Sequence, residues 1–552
     1  MSNLNRAQQS FDLQALLQVL DLSSSLAAQT LIQEHECFGQ LHVDSRLVSN
    51  SDIFFAVIGH QLDGRAFIDK AVEQGARLVI AGCETEQEHG QLQTCAEVPV
   101  LSCFDLNKRL FNAAKAYYRA PQNSMLTIGI TGTNGKTSVS QLIAQLFDLL
   151  GGNAAIIGTT GAGKLAQLAP VNNTTPGAIE LHQLFNDFVE QNIEQVAMEV
   201  SSHALSQGRI NADELDVAVF TNLSRDHLDY HGDMASYAEA KAQIFAVAGL
   251  NAERPQQVTV LNGDDSQAQS WLKQLPQLQN SLVYGRQPSV KVFSRYLYAC
   301  DIEHSASGVS FTLETEFGQC QMTSALLGDF NIDNLLAAIA VVLDQQLKKL
   351  AQQEAREQQS LGRAKSAQVL AEIQEAVIKI KPVAGRMELF TDIEHAATVV
   401  DYAHTPDALA NALSACRQHC QGQLIVVFGC GGNRDRGKRK EMGAIAEQFA
   451  DAIVLTNDNP RNEAPEAIVS DIQGGITNLN KVSVCYDRSQ AVRQTIACSN
   501  AGDIILLAGK GHETSIILGE QVLPYDERAL VAELYQQSQS SQQWSDKSEV
   551  KL

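Results

Sequence analysis

The stretch Met125-Leu-Thr-Ile-Gly-Ile-Thr-Gly-Thr-Asn-Gly-Lys-Thr-Ser138 decides the fold. Met125 to Thr131 is short, apolar and rich in β-branched residues, which predicts a buried strand. Gly132-Thr133-Asn134-Gly135 breaks that strand. Lys136-Thr137 then opens a run, Val139 to Leu150, with apolar residues at helical spacing. Strand, glycine turn, Lys-Thr and helix is the order of a phosphate-binding loop. Glycines let backbone N–H groups approach phosphate oxygens, and a helix N-terminus adds partial positive charge. Lys136 can reach the β- and γ-phosphates, and the Thr137 hydroxyl can ligate Mg²⁺. The spacing is the short form G-x-x-G-K-T, because Ile130 stands five residues before Gly135. Gly132, Thr133, Asn134, Gly135, Lys136, Thr137 and Ser138 are therefore the expected nucleotide-binding residues. The plain alternative is a tight turn before a helix; Lys-Thr in this context favours the phosphate reading.

Working outward, 552 residues suggest three or four domains. The 41 basic residues against 63 acidic ones give a net charge of −22, which argues against non-specific nucleic-acid binding. Anionic ligands must then be held by local donors rather than by the global field. Eleven scattered cysteines, an odd count, and no secretion signal in the polar stretch Ser2 to Ser10 predict reduced thiols and a cytoplasmic protein. Cys416-x-x-x-Cys420 lacks a second Cys/His pair and is not expected to bind zinc. No apolar run approaches the ~20 residues of a membrane span.

The fold class expected is α/β, with three domains. Residues 1–104 read as a small α/β unit with strands at Ile53–Ile58, Arg77–Ala81 and Val98–Leu101 and a helix at Phe67–Gln74. Residues 105–383 carry the phosphate loop and a mostly parallel sheet, with core strands at Gln195–Ser201 and Val217–Leu223 that end in polar clusters. In open α/β sheets ligands bind at the strand C-terminal ends. The Ala/Gln/charge-rich stretch Gln345 to Glu375 reads as a solvated helical arm. Residues 384–552 restart the alternation, with strands at Thr398–Tyr402, Leu424–Phe428, Ala452–Thr456 and Ile504–Ala508. The tail from about Gln536 is Gln/Ser-rich and expected to fray.

Four motifs in order resemble the Mur ligases of peptidoglycan synthesis. They are Thr131-Gly-Thr-Asn-Gly-Lys-Thr137, Met198-Glu-Val-Ser-Ser-His203, Thr221-Asn-Leu-Ser-Arg-Asp-His227 and Asp401-Tyr-Ala-His-Thr-Pro406. The resemblance runs from about Val43 to about Gly519. It implies a central ATPase domain flanked by an N-terminal uridine-nucleotide-binding domain and a C-terminal Rossmann-like amino-acid-binding domain. The activity implied is an ATP-dependent amide-bond ligase acting through an acyl phosphate, with Mg²⁺. The alternatives within and outside the family are a ligase that adds L-lysine and a nucleotide-binding scaffold without catalysis.

The resemblance also implies site residues. Lys136, Glu199, His227 and Lys241 would be catalytic, with Thr137, Glu199, His227 and Lys241 around the metal. Lys241 would be carbamylated (N6-carboxylysine), turning a cation into a carboxylate-like anion. Asn331, Arg386 and Asp401 would join the ATP site. Val43, Ser45, His60, Gln61, Leu62, Asn173, Thr174, Thr175, Ser201, Gln207 and Arg209 would hold the acceptor UDP-MurNAc-L-Ala-D-Glu. Arg434, Asp458, Asn459, Pro460, Arg461, Gly509 and Glu513 would hold the incoming amino acid, meso-diaminopimelate, because family members that add this diacid carry Asp-Asn-Pro-Arg. Asn433 stands where the family usually has Asp. Small-molecule substrates, no nucleic-acid or membrane partner, and a monomer are the expected associations.

Overall fold

The computed structural model describes residues 11–24, 38–59, 62–245, 257–305, 308–356, 363–391 and 395–545. His60 and Gln61 lie outside them. Of the described residues, those in Met1–Tyr284, Val292–Arg295 and Ala337–Val342 form one compact unit. Those in Gly285–Lys291, Tyr296–Leu336 and Leu343–Leu552 form a second.

The first unit begins with α1 (Leu13–Val19), β1 (Leu41–His42), β2 (Ile53–Ala56), α2 (Ile68–Glu73), β3 (Leu78–Cys83), β4 (Leu92–Cys95), β5 (Val98–Phe104) and α3 (Leu106–Tyr117). Its five strands lie in the order β1-β2-β3-β5-β4, and only the β4–β5 pairing is antiparallel. Leu16, Leu17, Leu41, Phe55, Ile80 and Tyr117 fill the core between sheet and helices.

The chain continues through β6 (Leu126–Thr131), α4 (Lys136–Leu149), β7 (Ala154–Gly158), β8 (Gly161–Lys164), β9 (Gln167–Ala169), α5 (Ala178–Glu190), β10 (Gln195–Glu199) and α6 (Ser202–Ser206). It goes on with β11 (Val217–Phe220), α7 (Leu228–His231), α8 (Met234–Ala242), β12 (Val258–Asn262), α9 (Ser266–Gln274) and β13 (Leu282–Gly285). The sheet order is β13-β12-β11-β6-β10-β7-β8-β9, parallel from β13 to β7. β6 sits centrally, buried on both faces, as its unbroken apolar run requires. The strand and helix read from residues 125–150 are observed as β6 and α4, the helix beginning already at Lys136.

The second unit contains an antiparallel meander, β14 (Tyr296–Ser305), β15 (Gly308–Thr315) and β16 (Gly318–Ser324), which the sequence reading did not foresee. α10 (Asp329–Arg356) and α11 (Arg363–Ile378) follow. The arm expected as solvated is helical, but Val369, Leu370, Ile373, Ala376 and Val377 of α11 are buried, and Gln374 donates to the Gln321 carbonyl of β16 at 2.6 Å. The expectation of a wholly solvated arm is thus corrected. Burial selects one apolar face that a high overall charge and Gln content conceal.

The alternation then restarts with β17 (Glu388–Phe390), β18 (Ala397–Asp401), α12 (Pro406–His419), β19 (Leu424–Phe428), α13 (Gly437–Phe449), β20 (Ala452–Leu455), α14 (Pro465–Gln473) and β21 (Val482–Val484). α15 (Arg488–Ala497), β22 (Ile504–Ala508), the hairpin β23 (Ser515–Leu518) and β24 (Gln521–Pro524), and α16 (Glu527–Ser545) complete it. The sheet order is β17-β18-β22-β19-β20-β21, with β17 antiparallel at one edge. In β22, Leu506 and Ala508 face one core cluster while Ile505 and Leu507 face the other, which explains its continuous apolar sequence. α16 carries the tail as helix to Ser545, past the point where fraying was expected. Cys416 is buried in α12 and unbonded to another cysteine. Among the described residues no helix is long and apolar enough to cross a membrane.

Candidate active site

Strand register assembles the site of the first unit. Ile130 of β6 pairs with Glu199 of β10, and Thr131 pairs with Phe220 of β11. Glu199 and the Thr221-Asn222 turn therefore lie at the edge where the phosphate loop leaves the sheet. Thr221 Oγ1 donates to the Asn134 carbonyl at 2.6 Å, and the Asn134 N–H donates to Asn222 Oδ1 at 2.9 Å. The loop packs so closely that a Cβ on Gly132 (φ 152°) would stand 1.9 Å from Thr221 Oγ1. Gly135 starts α4 at φ 86° with no side-chain cap, which leaves the first-turn N–H groups without a side-chain partner at the cap position. Lys136 Nζ folds back to the Gly132 and Thr133 carbonyls, 2.9 Å each. Thr133 Oγ1 accepts the Ser224 N–H at 3.0 Å, Thr137 is buried, and Ser138 is half-buried on α4.

Lys241, on α8, is 1% exposed and donates to the same Gly132 carbonyl at 2.8 Å, with its Nζ 4.5 Å from the Tyr237 ring centroid. Burial, and secondarily the charge of Lys136, push the Lys241 amine down to about 6. That shift favours the neutral, nucleophilic form of the amine.

Glu199 is buried and accepts the Thr159 N–H at 2.8 Å and the Thr159 hydroxyl at 3.3 Å. Its own carbonyl accepts from Thr175 Oγ1 at 2.9 Å, and that oxygen accepts the Ser201 N–H at 3.0 Å. Arg209 donates to the Thr175 carbonyl at 2.9 Å and, through Nε and a terminal nitrogen, to Gln207 Oε1 at 2.9 and 2.7 Å. Thr174 Oγ1 meets Thr159 Oγ1 at 3.2 Å. Thr174, Thr175, Ser201, Gln207 and Arg209 thus form one network bonded to Glu199. Burial pulls the Arg209 guanidinium below its ordinary value. Asn173 is exposed on the same loop. Val43 is exposed, Ser45 is buried in the turn after β1, and Leu62 is 71% exposed after β2; these three take no part in the bonds just described.

His227 is exposed, at φ 53°, 3.5 Å from Asp226 Oδ2, and its ring centroid is 5.0 Å from that of His203. His203 also lies 4.1 Å from the Tyr230 ring and 5.4 Å from His231, and His231 Nε2 sits 2.9 Å from Ser202 Oγ. The sequence reading named His227 alone; His203 stood in a quoted motif, but nothing in the sequence joined it to Tyr230 and His231. Among the described residues no group of three or more His, Cys, Asp or Glu could hold a metal. The Thr137 hydroxyl and the Glu199 carboxylate are hard oxygen donors that suit Mg²⁺; an unmodified Lys241 amine does not, whereas its carbamate would.

The second unit holds the remaining residues. Asn331, near the start of α10, is buried, donates to the Leu327 carbonyl at 2.9 Å and accepts from Asn334 at 3.1 Å. Asp401, ending β18, accepts the Met387 and Ala403 N–H groups, 2.7 Å each. Burial raises the Asp401 carboxyl, against the pull of Arg386. The Arg386 guanidinium lies 4.8 Å over the Tyr402 ring, and its buried Nε has no hydrogen-bond partner. An orphaned buried N–H of this kind fits a ligand oxygen.

The Asp-Asn-Pro-Arg loop follows β20. Asp458, Asn459 and Pro460 are buried, and Arg461 turns at φ 52°. Arg461 donates to the carbonyls of Gly432 at 3.0 Å and Asn459 at 3.4 Å. A Cβ on Gly432 would meet the Pro460 carbonyl at 1.9 Å, so only glycine allows this approach. Asn459 donates to Glu513 Oε2 at 3.0 Å. Burial raises Glu513, but the bond and charge of Lys510, the Asn459 bond and the charge of His512 together outweigh it, and the carboxylate ends below its usual range. A Cβ on Gly509 would lie 2.9 Å from Asp458 Oδ2. Arg434 is exposed on the loop after β19. Asn433 adopts φ 54°, a conformation asparagine tolerates well, and accepts the Asn462 N–H at 3.2 Å. Lys510, at the centre of these bonds, was missed; its signal was the Gly509-Lys-Gly-His-Glu513 loop after β22.

With this geometry, the comparisons agree across the chain. The Mur ligase family catalytic domain matches residues 39–118, the Mur ligase middle domain 130–342, and the Mur ligase glutamate ligase domain 385–511. A relative from Vibrio cholerae serotype O1, named UDP-N-acetylmuramoyl-L-alanyl-D-glutamate--2,6-diaminopimelate ligase, is 43% identical over 495 residues, 90% of this chain and 93% of the relative. A solved structure bearing the same enzyme name is 33% identical at a TM-score of 0.62, covering 91% of this chain and 96% of that one. MurF ligase from Thermotoga maritima in complex with ADP shares the fold at 16% identity and a TM-score of 0.57, covering 91% of this chain and 98% of that one. The chain belongs to the Mur ligase family.

Proposed function

We propose that this protein is the ATP-dependent ligase that adds meso-2,6-diaminopimelate to the D-Glu carboxylate of UDP-MurNAc-L-Ala-D-Glu. The observation that carries the reading is the paired loops of the second unit. Arg461 is anchored on Gly432 and Asn459, and Glu513 is held as a carboxylate by Asn459 and Lys510. A fixed guanidinium and a fixed carboxylate suit an amino acid that carries a second carboxylate and a second ammonium. The 43% identity to a relative named for this reaction supports the same substrates.

The D-Glu carboxylate attacks the γ-phosphorus of ATP, giving an acyl phosphate and ADP. The amine of the incoming amino acid then attacks the acyl carbon and releases phosphate. Such transfer needs positioning and charge neutralisation more than covalent help. Lys136 and the α4 N-terminus neutralise the β/γ-phosphates; Arg386, Asn331 and Asp401 are further nucleotide-binding residues. Thr137, Glu199, His227 and a carbamylated Lys241 would hold Mg²⁺, which supplies charge neutralisation for phosphoryl transfer. Val43, Ser45, His60, Gln61, Leu62, Asn173, Thr174, Thr175, Ser201, Gln207 and Arg209 bind the acceptor UDP-MurNAc-dipeptide. Residues 1–104 form the UDP-sugar-binding domain, 105–383 the central ATP-binding ligase domain and 384–552 the amino-acid-binding domain, in a cytoplasmic monomer.

ADP release measured with UDP-MurNAc-L-Ala-D-Glu and a panel of amino acids tests the reading. Turnover with diaminopimelate and little with L-lysine is expected. Equal use of L-lysine selects the alternative ligase, and no amino-acid-dependent turnover leaves the scaffold. Arg461→Ala should cut the preference for diaminopimelate over lysine by about tenfold or more, since a site built for a group rejects a ligand lacking it.

A further inference from the structure

Lys510 lies two residues past β22 with its side chain 0% exposed. Its three N–H donors are all used: on Asn459 Oδ1 at 2.8 Å, Glu513 Oε2 at 2.9 Å and the Ser515 carbonyl at 2.8 Å. Asp458 Oδ1 stands 3.3 Å away, so one buried ammonium serves two carboxylates. Asn459 Oδ1 also accepts the Ile517 N–H at 2.9 Å. With its oxygen held by two donors, the amide must turn its Nδ2 to Glu513 Oε2. Glu513 Oε2 is then saturated by two donors, and Oε1 lies 3.5 Å from the Tyr402 hydroxyl. Glu513, 31% exposed, is thereby left with one oxygen for an incoming ammonium.

A separate group already ties the strand ends. The fully buried Arg488 pairs with Glu527 at 2.7 Å and donates to the Asn457 carbonyl at 3.3 Å and the Ala508 carbonyl at 2.9 Å. Asn457 precedes the Asp-Asn-Pro-Arg loop and Ala508 precedes Gly509-Lys510. The backbone spacing of the two loops is thus braced without Lys510, and Lys510 acts on their side chains.

We propose that Lys510 is a positioning residue for the incoming amino acid, its buried ammonium locking Asn459 and the Glu513 carboxylate into the orientation that receives the substrate's ammonium. This rests on the diaminopimelate reading above. Substitution should therefore weaken amino-acid binding selectively and act through Glu513.

Steady-state kinetics of Lys510→Met, Glu513→Gln and the double variant test it, alongside melting temperature and the KM for ATP. For Lys510→Met, the expected result is a KM for diaminopimelate raised about tenfold or more, with kcat within about threefold and the KM for ATP within about twofold. The double variant should be no worse than Glu513→Gln alone by more than about twofold, because the two residues form one unit. A Lys510→Met enzyme with an unchanged KM for diaminopimelate overturns the proposal. So do additive losses in the double variant, or equal rises in the KM for ATP and for diaminopimelate. If Lys510→Met does not fold, Lys510→Gln carries the same expectation; failure of both to fold assigns Lys510 a structural role and also overturns the proposal. A wild type without diaminopimelate-dependent ADP release fails the functional reading itself, which the variants cannot mimic.

Discussion

Lys241 shows what a single position gains from its surroundings. In the sequence it is a lysine on a helical stretch, Tyr237-Ala-Glu-Ala-Lys241, with nothing to mark it apart from family resemblance. In the fold it is 1% exposed, shares the Gly132 carbonyl with Lys136, and has its amine pushed down to about 6. A neutral amine is the form that attacks CO₂, forming an N–C bond and losing a proton to leave a carbamate. Lys241→Ala should therefore lose more than about a hundredfold in turnover, the scale of a group acting on transition-state charge. Formate or acetate should restore part of it by supplying a carboxylate. Full activity in Lys241→Ala, measured by ADP release, would remove the anionic role. Arg461 and Asn433 make the complementary point. Both turn at positive φ, near 52° and 54°, which the sequence does not announce. For Arg461 such backbone is tolerated only where neighbours fix it, whereas asparagine adopts it readily.

At the scale of elements, strands and helices buried on both sides were legible because their apolar runs have no other use. β6, β10, β19 and β22 all lie where such runs predict them. The antiparallel meander β14–β16 was missed because its exposed faces carry Glu, His, Gln and Thr, which dilute the apolar signal. Loop elements depend on close packing that propensity cannot encode. The Gly431-Gly432 segment approaches the Pro460 carbonyl so tightly that Gly432→Ala must shift one loop or the other. The Arg461 anchor on the Gly432 carbonyl would move with it. Gly432→Ala should raise the KM for diaminopimelate by about tenfold while leaving the KM for ATP within about twofold, a split that kinetics at saturating partner substrates will read.

Over the whole first unit, a buried polar junction joins the residues before and after the phosphate strand. Lys115 of α3 pairs with Glu214 at 2.5 Å, Gln122 donates to Glu214 at 2.9 Å, and Gln183 of α5 donates to the Leu41 carbonyl at 2.7 Å. His182 lies here too, 0% exposed, its ring 4.7 Å from Phe111 and its Nε2 without a partner. Burial pushes its imidazole down to about 4, from 6.5. Below pH 6.5 the unfolded chain binds a proton that the folded chain refuses, so stability falls with pH until about pH 4, where the folded form protonates. The loss approaches an order of 3 kcal/mol across that window. Thermal unfolding of wild type against His182→Leu, which cannot titrate, should show the variant losing less stability between pH 6.5 and 4. Parallel pH profiles would refute the assignment.

The sequence by itself determined the α/β alternation, the phosphate loop and the Asp-Asn-Pro-Arg motif, because each is a local pattern whose period or glycine spacing has few physical solutions. Tertiary structure alone decided which side chains meet. Glu199 joins the Thr175–Arg209 network, Lys241 meets Lys136 on one carbonyl, and Lys510 gathers Asn459, Glu513 and Asp458. Most of those contacts join residues far apart in the chain. They are fixed by strand register and by the cost of burying a charge or amide unpartnered, and neither is written in any one stretch of sequence.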